Sequence, residues 1–163
     1  MSPPPYPKHN RTLAMTHSIS RLRNLALMGL LWMPCAFAAP VFINPDTEAA
    51  RNAPYSHAVI VDNLLILSGQ VGVGPSGLVE GGIVPESHQI MRNIEAILAG
   101  QGAGFEDIVK CTVMIDEISE WGAFNDVYVT YFPGAKPARS AFGADGLAFG
   151  AAVELECWAY LGD

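Results

Sequence analysis

Apolar and polar positions alternate along the chain in a way that predicts strands first and helices later. Two short apolar runs, residues 57–61 and 64–68, are separated by Asp62 and Asn63. Because Asp and Asn tolerate the left-handed backbone of tight turns, this pattern predicts a β-hairpin. The glycine-rich stretch that follows, residues 72–82, is typical of a loop or an irregular strand pair.

The next segment has the periodicity of a helix. Pro85 suits the first turn of a helix and Gly100 its end, so the helix is predicted between them. Its apolar residues recur at spacings of i, i+4, i+7 and i+8, which places them on one face. These residues are Ile90, Ile94, Ile97 and Leu98.

A strand, a second helix and a last strand complete the pattern. Residues 109–115 form an apolar run, and Ser119 can cap a helix whose apolar stripe is Phe124, Val127, Tyr128 and Tyr131. Residues 151–160 alternate between apolar and other side chains, which predicts a half-buried strand. The order β-β-α-β-α-β predicts an α+β domain, a mixed sheet with two helices packed on one face.

The other face of the predicted sheet is only partly polar. Trp158 and Tyr160 lie there beside two glutamates of the last strand. Large exposed apolar side chains on one face are typical of a protein interface. We therefore predict subunit contacts on this face.

The first 38 residues have the pattern of a secretory signal peptide. Arg21 and Arg23 precede a short apolar run, residues 25–33, and a small-residue cleavage pattern follows at residues 36–38. The run is shorter than the roughly 20 residues of a membrane-spanning helix, which disfavours a permanent anchor. We therefore predict an exported, periplasmic protein with no membrane contact after cleavage.

Two further stretches adjoin this leader. Met15 gives the leader an ordinary length, so residues 1–14 are interpreted as a misassigned start. Residues 39–53 are polar with little periodicity, which predicts a connector. The domain itself is predicted over residues 54–163.

The net charge disfavours nucleic acid as a partner. The whole chain has a formal charge of −7. After cleavage at Ala38, five basic residues remain against sixteen acidic ones, a net charge of −11. A surface of that sign repels phosphate backbones. The same acidic composition is also typical of an exported protein whose charge keeps it soluble.

The cysteines and histidines beyond the leader show no metal-binding pattern. Cys111 and Cys157 lie in separate strand-like runs, and His57 and His88 are not clustered with them. Because no group has the spacing of metal ligands, we predict no metal site. The two cysteines either pair in an oxidising compartment or remain buried thiols, and the sequence pattern suits both.

Arg139 and Glu154 are the charged residues best placed for chemistry. Arg139 lies in the segment 136–140, interpreted as a loop between the second helix and the last strand, where its guanidinium can bind a carboxylate bidentately. Glu154 lies on the last strand, where a carboxylate can orient water as a general base. Pattern alone does not separate either residue from an ordinary surface charge, nor Glu154 from Glu156.

Ser68 and Gly69 form a further candidate site. A Ser-Gly pair at a strand end binds a ligand through its hydroxyl and backbone N–H, or is simply a bulge. The chain has no G-x-S-x-G sequence and no histidine with an evident role as a base. A serine nucleophile is therefore disfavoured.

Seven short motifs occur in an order and at separations that resemble the RidA/YjgF family. They extend from about residue 54 to residue 160, nearly the whole predicted domain. In chain order they are Pro54-Tyr55-Ser56, Leu67-Ser68-Gly69-Gln70, Asn93-Ile94, Asp107-Ile108-Val109-Lys110, Asn125 with Tyr128, Pro137-Ala138-Arg139-Ser140, and Val153-Glu154-Leu155-Glu156.

The resemblance implies a fold, an assembly and an activity. The fold would be chorismate-mutase-like, forming a homotrimer with three clefts between subunits. The activity would be hydrolysis of reactive enamines and imines, of the 2-aminoacrylate or 2-iminobutyrate type, to 2-keto acids and ammonia, without metal or organic cofactor. The alternative is a non-catalytic module on the same trimer that binds a small carboxylate or acts as a holdase. The endoribonuclease activity attached to some family names conflicts with the charge of −11.

The resemblance also gives roles to single residues. Arg139 corresponds to the arginine that holds the substrate carboxylate. Glu154, rather than Glu156, corresponds to the glutamate that positions the attacking water, because the family's separation from arginine to glutamate is preserved. The residues implied to line the cleft are Tyr55, Ser68 with Gly69, Asn125 and Ala141.

Ala141 is a departure from the family pattern. Archetypal deaminases carry a cysteine two residues after the arginine, where this chain has Ala141. Because that position acts largely through its backbone, the resemblance implies that Ala141 keeps a substrate contact and need not abolish activity, but the family's substrate preference does not carry over to this chain.

Overall fold

The structure is a computed structural model that describes residues 38–162. The predicted signal peptide and the predicted start at Met15 lie outside the described residues, apart from Ala38 at the cleavage position. Within the part of the chain that is described, no helix is both long enough and apolar enough to cross a membrane.

The described residues form nine strands and three α-helices, with short 3₁₀ turns between some of them. In chain order the elements are β1 (Val41–Ile43), α1 (Glu48–Asn52), β2 (Ala58–Val61), β3 (Leu64–Leu67), β4 (Gln70–Val71), β5 (Val73–Gly74), β6 (Gly77–Leu78), α2 (Ile83–Ala99), β7 (Ile108–Ile115), α3 (Trp121–Tyr128), β8 (Ala138–Gly143) and β9 (Val153–Tyr160).

Seven of the strands form one mixed sheet. Its order is β1-β2-β3-β9-β7-β8, and β4 pairs with β9 beyond the end of β3. The β7–β8 pair is parallel and the other pairs are antiparallel. The predicted hairpin is confirmed as β2–β3, whose turn begins at Asp62 in a left-handed conformation (φ 52°). β5 and β6 form the small irregular pair predicted in the glycine-rich stretch.

Helices α2 and α3 cover one face of this sheet. The predicted stripe of α2 is confirmed, since Ile90, Ile94 and Leu98 are fully buried. They share a single apolar core with Phe124 of α3 and with the inward side chains of the central strands, such as Leu155 of β9. Burial of these apolar surfaces, each worth roughly 1.5–3 kcal/mol per large side chain, holds the two layers together. The α+β class with two helices on one face is confirmed.

Two predicted segments differ from their observed structure. Residues 39–53, predicted as a connector, include β1, which pairs with β2 through Val41–Ile43, and the short helix α1, which Thr47 caps. The segment around Arg139, predicted as a loop, is the edge strand β8. Its side chains are mostly exposed, so it lacks the apolar alternation by which a strand is recognised, and backbone pairing with β7 defines it instead.

A buried carboxylate secures the entry to β9. Glu86 of α2 is 3% exposed, and its Oε2 accepts a hydrogen bond from the backbone N–H of Ala152 at 2.8 Å. This contact fixes the start of the strand that carries Glu154 against a helix of the core. A buried acceptor that satisfies a backbone donor in this way is costly to remove.

Candidate active site

Arg139 lies on the helix-covered face of β8, at the edge of the sheet. Its register partner on β7 is Cys111, and the partner of Cys111 on β9 is Cys157. Both cysteines are fully buried under the helices. Because directly paired residues point to the same face of a sheet, the Arg139 side chain extends toward the helical layer.

Two aromatic rings of α3 receive the Arg139 guanidinium. Its Cζ lies 4.8 Å from the centroid of the Tyr128 ring and 5.7 Å from that of Phe124. The two rings, one helical turn apart, contact each other with centroids 5.4 Å apart. Such cation–π contacts orient the guanidinium without consuming its N–H donors. Among the described residues no carboxylate forms an ion pair with Arg139, so its fork is available to an anion.

Two unpartnered polar atoms lie on the helix that supports this arginine. The hydroxyl of Tyr128 and Oδ1 of Asn125 are buried, and neither has a hydrogen-bond partner among the described residues. Burial raises the pKa of Tyr128 to about 12, and the positive charge of Arg139 opposes part of that rise. Tyr128 is therefore neutral at physiological pH. Asn125, predicted to line the cleft, thus lies on the helix that supports Arg139.

Ala141 shares the face of Arg139. It lies two residues further along β8, and its register partner on β7 is the buried Val113. Side chains two apart on a strand point the same way. Arg139, Ala141 and Asn125 thus belong to one group, made by β8 and α3.

Glu154 lies on the opposite face of the sheet. Its neighbours on β9, Val153 and Leu155, are fully buried under the helices, whereas Glu154 is only partly covered. Its register partners are Met114 on β7 and Val71 on β4. Burial, and secondarily the negative charge of Glu156, raise the pKa of the Glu154 carboxyl. A carboxylate with a raised pKa is suited to accept a proton.

Gly69 makes room for that carboxylate. A Cβ at position 69 would collide with Oε1 of Glu154, so only glycine lets the carboxylate lie against the backbone at the start of β4. Gly69 also lines a cavity of about 450 Å³ together with Tyr55. Ser68, the preceding residue, donates from its hydroxyl to the carbonyl of Ser56 at 2.6 Å, which ties this strand end to the segment of Tyr55.

The predicted site residues therefore form two groups rather than one. The first group is Arg139, Ala141 and Asn125, on the helix-covered side of the edge strand. The second group is Glu154, Gly69, Ser68 and Tyr55, around β4 and β9. Within this chain the Arg139 and Glu154 side chains extend from opposite faces of the sheet, so the structure does not bring them together.

Two features beyond the predicted site residues belong to the first group. Phe124 and Tyr128 were predicted as part of a core stripe, and Tyr128 also as part of a family motif with Asn125, but neither was predicted to contact Arg139. Their rings hold the guanidinium, and their spacing of four residues was the available signal. Cys111 and Cys157 form a disulfide across β7 and β9, which decides between the two states that the sequence left open. Since Cys111 is the register partner of Arg139, this bond lies beside the strand that carries the arginine.

Comparison with known proteins supports the family resemblance that the sequence motifs indicated. The family described as endoribonuclease L-PSP matches residues 46–161. A 2-iminobutanoate/2-iminopropanoate deaminase from Mus musculus is 43% identical over 122 residues, covering 74% of this chain and 90% of that protein. The protein of the same name from Homo sapiens is 39% identical over 111 residues, covering 67% and 81%.

Solved structures agree with the fold. A Rid-family protein from Yersinia pestis has a TM-score of 0.70 at 35% identity, covering 75% of this chain and 99% of its own. RidA from Psychrobacter sp. PAMC 21119 has a TM-score of 0.67 at 34% identity, covering 74% and 98%. The family match extends over most of the described residues, and the relatives align over nearly their full length. The chain therefore belongs to the RidA/YjgF family.

Proposed function

We propose that this protein hydrolyses reactive 2-imino acids, and the enamines that tautomerise to them, to 2-keto acids and ammonia. Its class, a deaminase-like hydrolase, rests on relatives of that name that are 39–43% identical over most of the chain. The observation that carries the choice of substrate is Arg139, a guanidinium oriented by two rings and without an ion pair among the described residues.

The proposed reaction needs positioning more than it needs a strong nucleophile. Arg139 binds the substrate carboxylate bidentately and so fixes the imine carbon next to it. Glu154 accepts a proton from a water molecule as the water oxygen bonds to that carbon. This proton passes to the imine nitrogen, which gives a carbinolamine that carries a hydroxyl and an amino group on the same carbon. The hydroxyl proton then also moves to the nitrogen, the carbon–nitrogen bond breaks, and ammonia leaves as the carbonyl of the 2-keto acid forms.

We further propose that the site is completed between two protomers of a homotrimer. The Arg139 and Glu154 side chains extend from opposite faces of one sheet. One protomer therefore cannot present both groups to one substrate. A ring of three protomers joined head to tail would bring the Arg139 group of each against the Glu154 group of its neighbour. The exposed Trp158 and Tyr160 on the face of Glu154, 37% and 45% exposed, support an interface there.

We also propose export to an oxidising compartment, for which one bond in the structure is a supporting feature. The Cys111–Cys157 disulfide supports it, because disulfides persist outside the reducing cytosol. The periplasm is accordingly the proposed location, with a small imino acid as the substrate met there.

Subunit mixing tests the activity and the shared site together. Arg139→Ala and Glu154→Ala are each assayed for ammonia release from freshly generated 2-iminobutyrate, and each is expected to be nearly inactive. The two variants are then unfolded together, refolded as a mixture and assayed again. In a randomly mixed trimer with shared sites, about one quarter of the sites regain both groups.

Each outcome has a separate meaning. Restored activity supports both the reaction and the shared site, whereas no restoration places both residues in one protomer and contradicts the shared site. Full activity of Arg139→Ala alone contradicts the role of the arginine. The alternative, a non-catalytic module that binds small carboxylates, predicts thermal stabilisation by a 2-keto acid with no ammonia release from any wild-type preparation.

A further inference from the structure

The cavity beside Gly69 has an apolar lining that the proposed reaction does not use. It has a volume of about 450 Å³ and lies between β4 and the second half of α2. Such a volume is in the range of small-molecule pockets. The lining comprises Tyr55, Val71, Val73, Ile97 and Phe149, together with shorter or polar residues. We call this space the side-chain pocket.

The amides that line the side-chain pocket are already engaged elsewhere. Gln70 donates from Nε2 to the carbonyls of Ser68 and Gly69, at 3.0 and 3.3 Å. Asn93 donates from Nδ2 to the carbonyls of Val71 and Val73, at 3.2 and 3.0 Å. With these amide donors engaged, the pocket offers a ligand mostly apolar surface, the amide oxygen of Gln70 and the ring of His57.

Phe149 is the most unusual member of the lining. It has a left-handed backbone (φ 60°, ψ 12°), which is unfavourable for a bulky residue, and its side chain is 79% exposed. A ring held this way at the rim of a pocket is placed to contact something that enters the pocket.

We infer that the side-chain pocket selects imino acids with an aromatic or large apolar side chain. The inference rests on the proposed function and deepens it. Gly69 borders both the pocket, on the α2 side of β4, and the Glu154 carboxylate, on the other face of the sheet. A substrate whose reacting carbon lies near Glu154 can therefore reach the pocket past Gly69, which has no side chain to block the way. The Tyr55 and Phe149 rings then cover that side chain from the rim, which removes their own apolar surface from water.

The test compares substrates of different size in matched variants. Imino acids are generated in situ by an amino-acid oxidase from phenylalanine, leucine and alanine, and kcat/KM for ammonia release is measured for each. The wild-type protein is expected to favour the phenylalanine-derived imine over the alanine-derived one by about tenfold or more. Phe149→Ala is expected to lose most of that preference.

Two further variants keep the result interpretable. Phe149→Gly removes the ring but suits the left-handed backbone, so it should fold at least as well as wild type while losing the preference. Phe42→Ala removes a comparably exposed ring, 67% exposed, that does not line the pocket, and should leave the preference unchanged. Light scattering of each variant reports whether Phe149 is instead covered by a second subunit.

A binding readout separates this inference from the proposed reaction. Phenylpyruvate and pyruvate, which undergo no deamination, are compared as ligands by thermal shift and calorimetry. If no imino acid is turned over, the proposed reaction is contradicted, while tighter binding of phenylpyruvate that depends on Phe149 still supports the pocket. An equal preference in wild type and Phe149→Gly in both readouts, or a changed molar mass of that variant, overturns the inference.

Discussion

The guanidinium of Arg139 lies over the ring of Tyr128, with 4.8 Å between Cζ and the ring centroid. Tyr128 is 5% exposed and its hydroxyl has no hydrogen-bond partner among the described residues, so the ring face is the part of this side chain that acts on the arginine. This contact makes Tyr128 a positioning residue for the proposed carboxylate clamp.

Two substitutions of Tyr128 should therefore separate the effect of its ring on substrate binding from the effect of its hydroxyl. Tyr128→Phe keeps the ring, so we expect an unchanged KM and an equal or higher stability, because an unsatisfied buried hydroxyl is removed. Tyr128→Leu removes the cation–π contact and should raise KM by between about 2-fold and about 30-fold, with a smaller effect on kcat. Steady-state kinetics with 2-iminobutyrate measures both.

Phe132→Leu is the matched control for that series. Phe132 is 3% exposed and its ring lies 4.7 Å from that of Tyr128, but it makes no cation–π contact with Arg139. It should lose stability as Tyr128→Leu does, yet keep its KM. An equal rise of KM in both variants would show that core packing, rather than the stack, determines substrate binding.

The raised pKa of Glu154 gives the activity a defined pH dependence. The proposed role of Glu154 as general base requires its carboxylate form, so kcat/KM should fall as the pH drops through the Glu154 pKa, at a pH above the ordinary glutamate value. Because the charge of Glu156 contributes to the rise, Glu156→Gln should move this acidic limb to lower pH without abolishing activity. A limb at the same pH in both proteins would mean that another group titrates.

The same pKa shift predicts the direction of a stability change. A carboxyl whose pKa is raised by folding stabilises the fold fully below its unfolded pKa, and that stability is lost as the pH rises through the folded pKa. Glu154→Gln removes the ionisation, so at neutral pH it should be at least as stable as wild type while being nearly inactive. Denaturant unfolding at pH 4 and pH 7 checks this, since the difference between the two proteins should widen at the higher pH.

Gly69→Ala should damage the site without damaging the fold. Its Cβ would collide with the tip of the Glu154 side chain, which can rotate away, rather than with backbone. We expect a folded protein with a much lower kcat, because the displaced carboxylate no longer holds the water in place. Gly74→Ala is the control: its Cβ would meet its nearest neighbour, in the Gln89 side chain, only at 3.6 Å, so it should be active.

Reducing the disulfide should weaken the fold. Cys111 and Cys157 are 46 residues apart and join neighbouring central strands, so opening the bond frees a long loop of the unfolded chain. The expected loss is about 2–4 kcal/mol of unfolding free energy. Chemical unfolding with and without reductant measures it. Because both cysteines are fully buried, reductant alone should act slowly on the native protein, and rapid native-state reduction would argue against that burial.

Strands and helices with strong periodicity were predictable from the sequence. The α2 stripe and the alternation of β9 are visible there because one side of each element is buried. β8 was not visible, since an edge strand with exposed side chains is defined by its pairing with β7 rather than by its residues. The same parallel pairing brings Arg139 to the rings of α3, so that contact could not be read from the chain.

The catalytic candidates were predictable only in part. The resemblance chose Arg139 and Glu154, but the faces on which they lie depend on the register between β8, β7 and β9, which local sequence does not specify. The role of Gly69 depends on a close approach between β4 and β9, and the left-handed backbone of Phe149 runs against the preference of its residue type. Both are tertiary effects.

The placement of Arg139 and Glu154 on opposite faces of the sheet also affects how the specific activity should depend on protein concentration. A lone protomer would hold both groups and yet be unable to use them on one substrate. If the site is shared as proposed, the specific activity would fall when the protein is diluted below the concentration at which protomers associate, although each chain remained folded. The enzyme's output would then depend on how much of it accumulates in its compartment, and small changes in expression would produce larger changes in turnover.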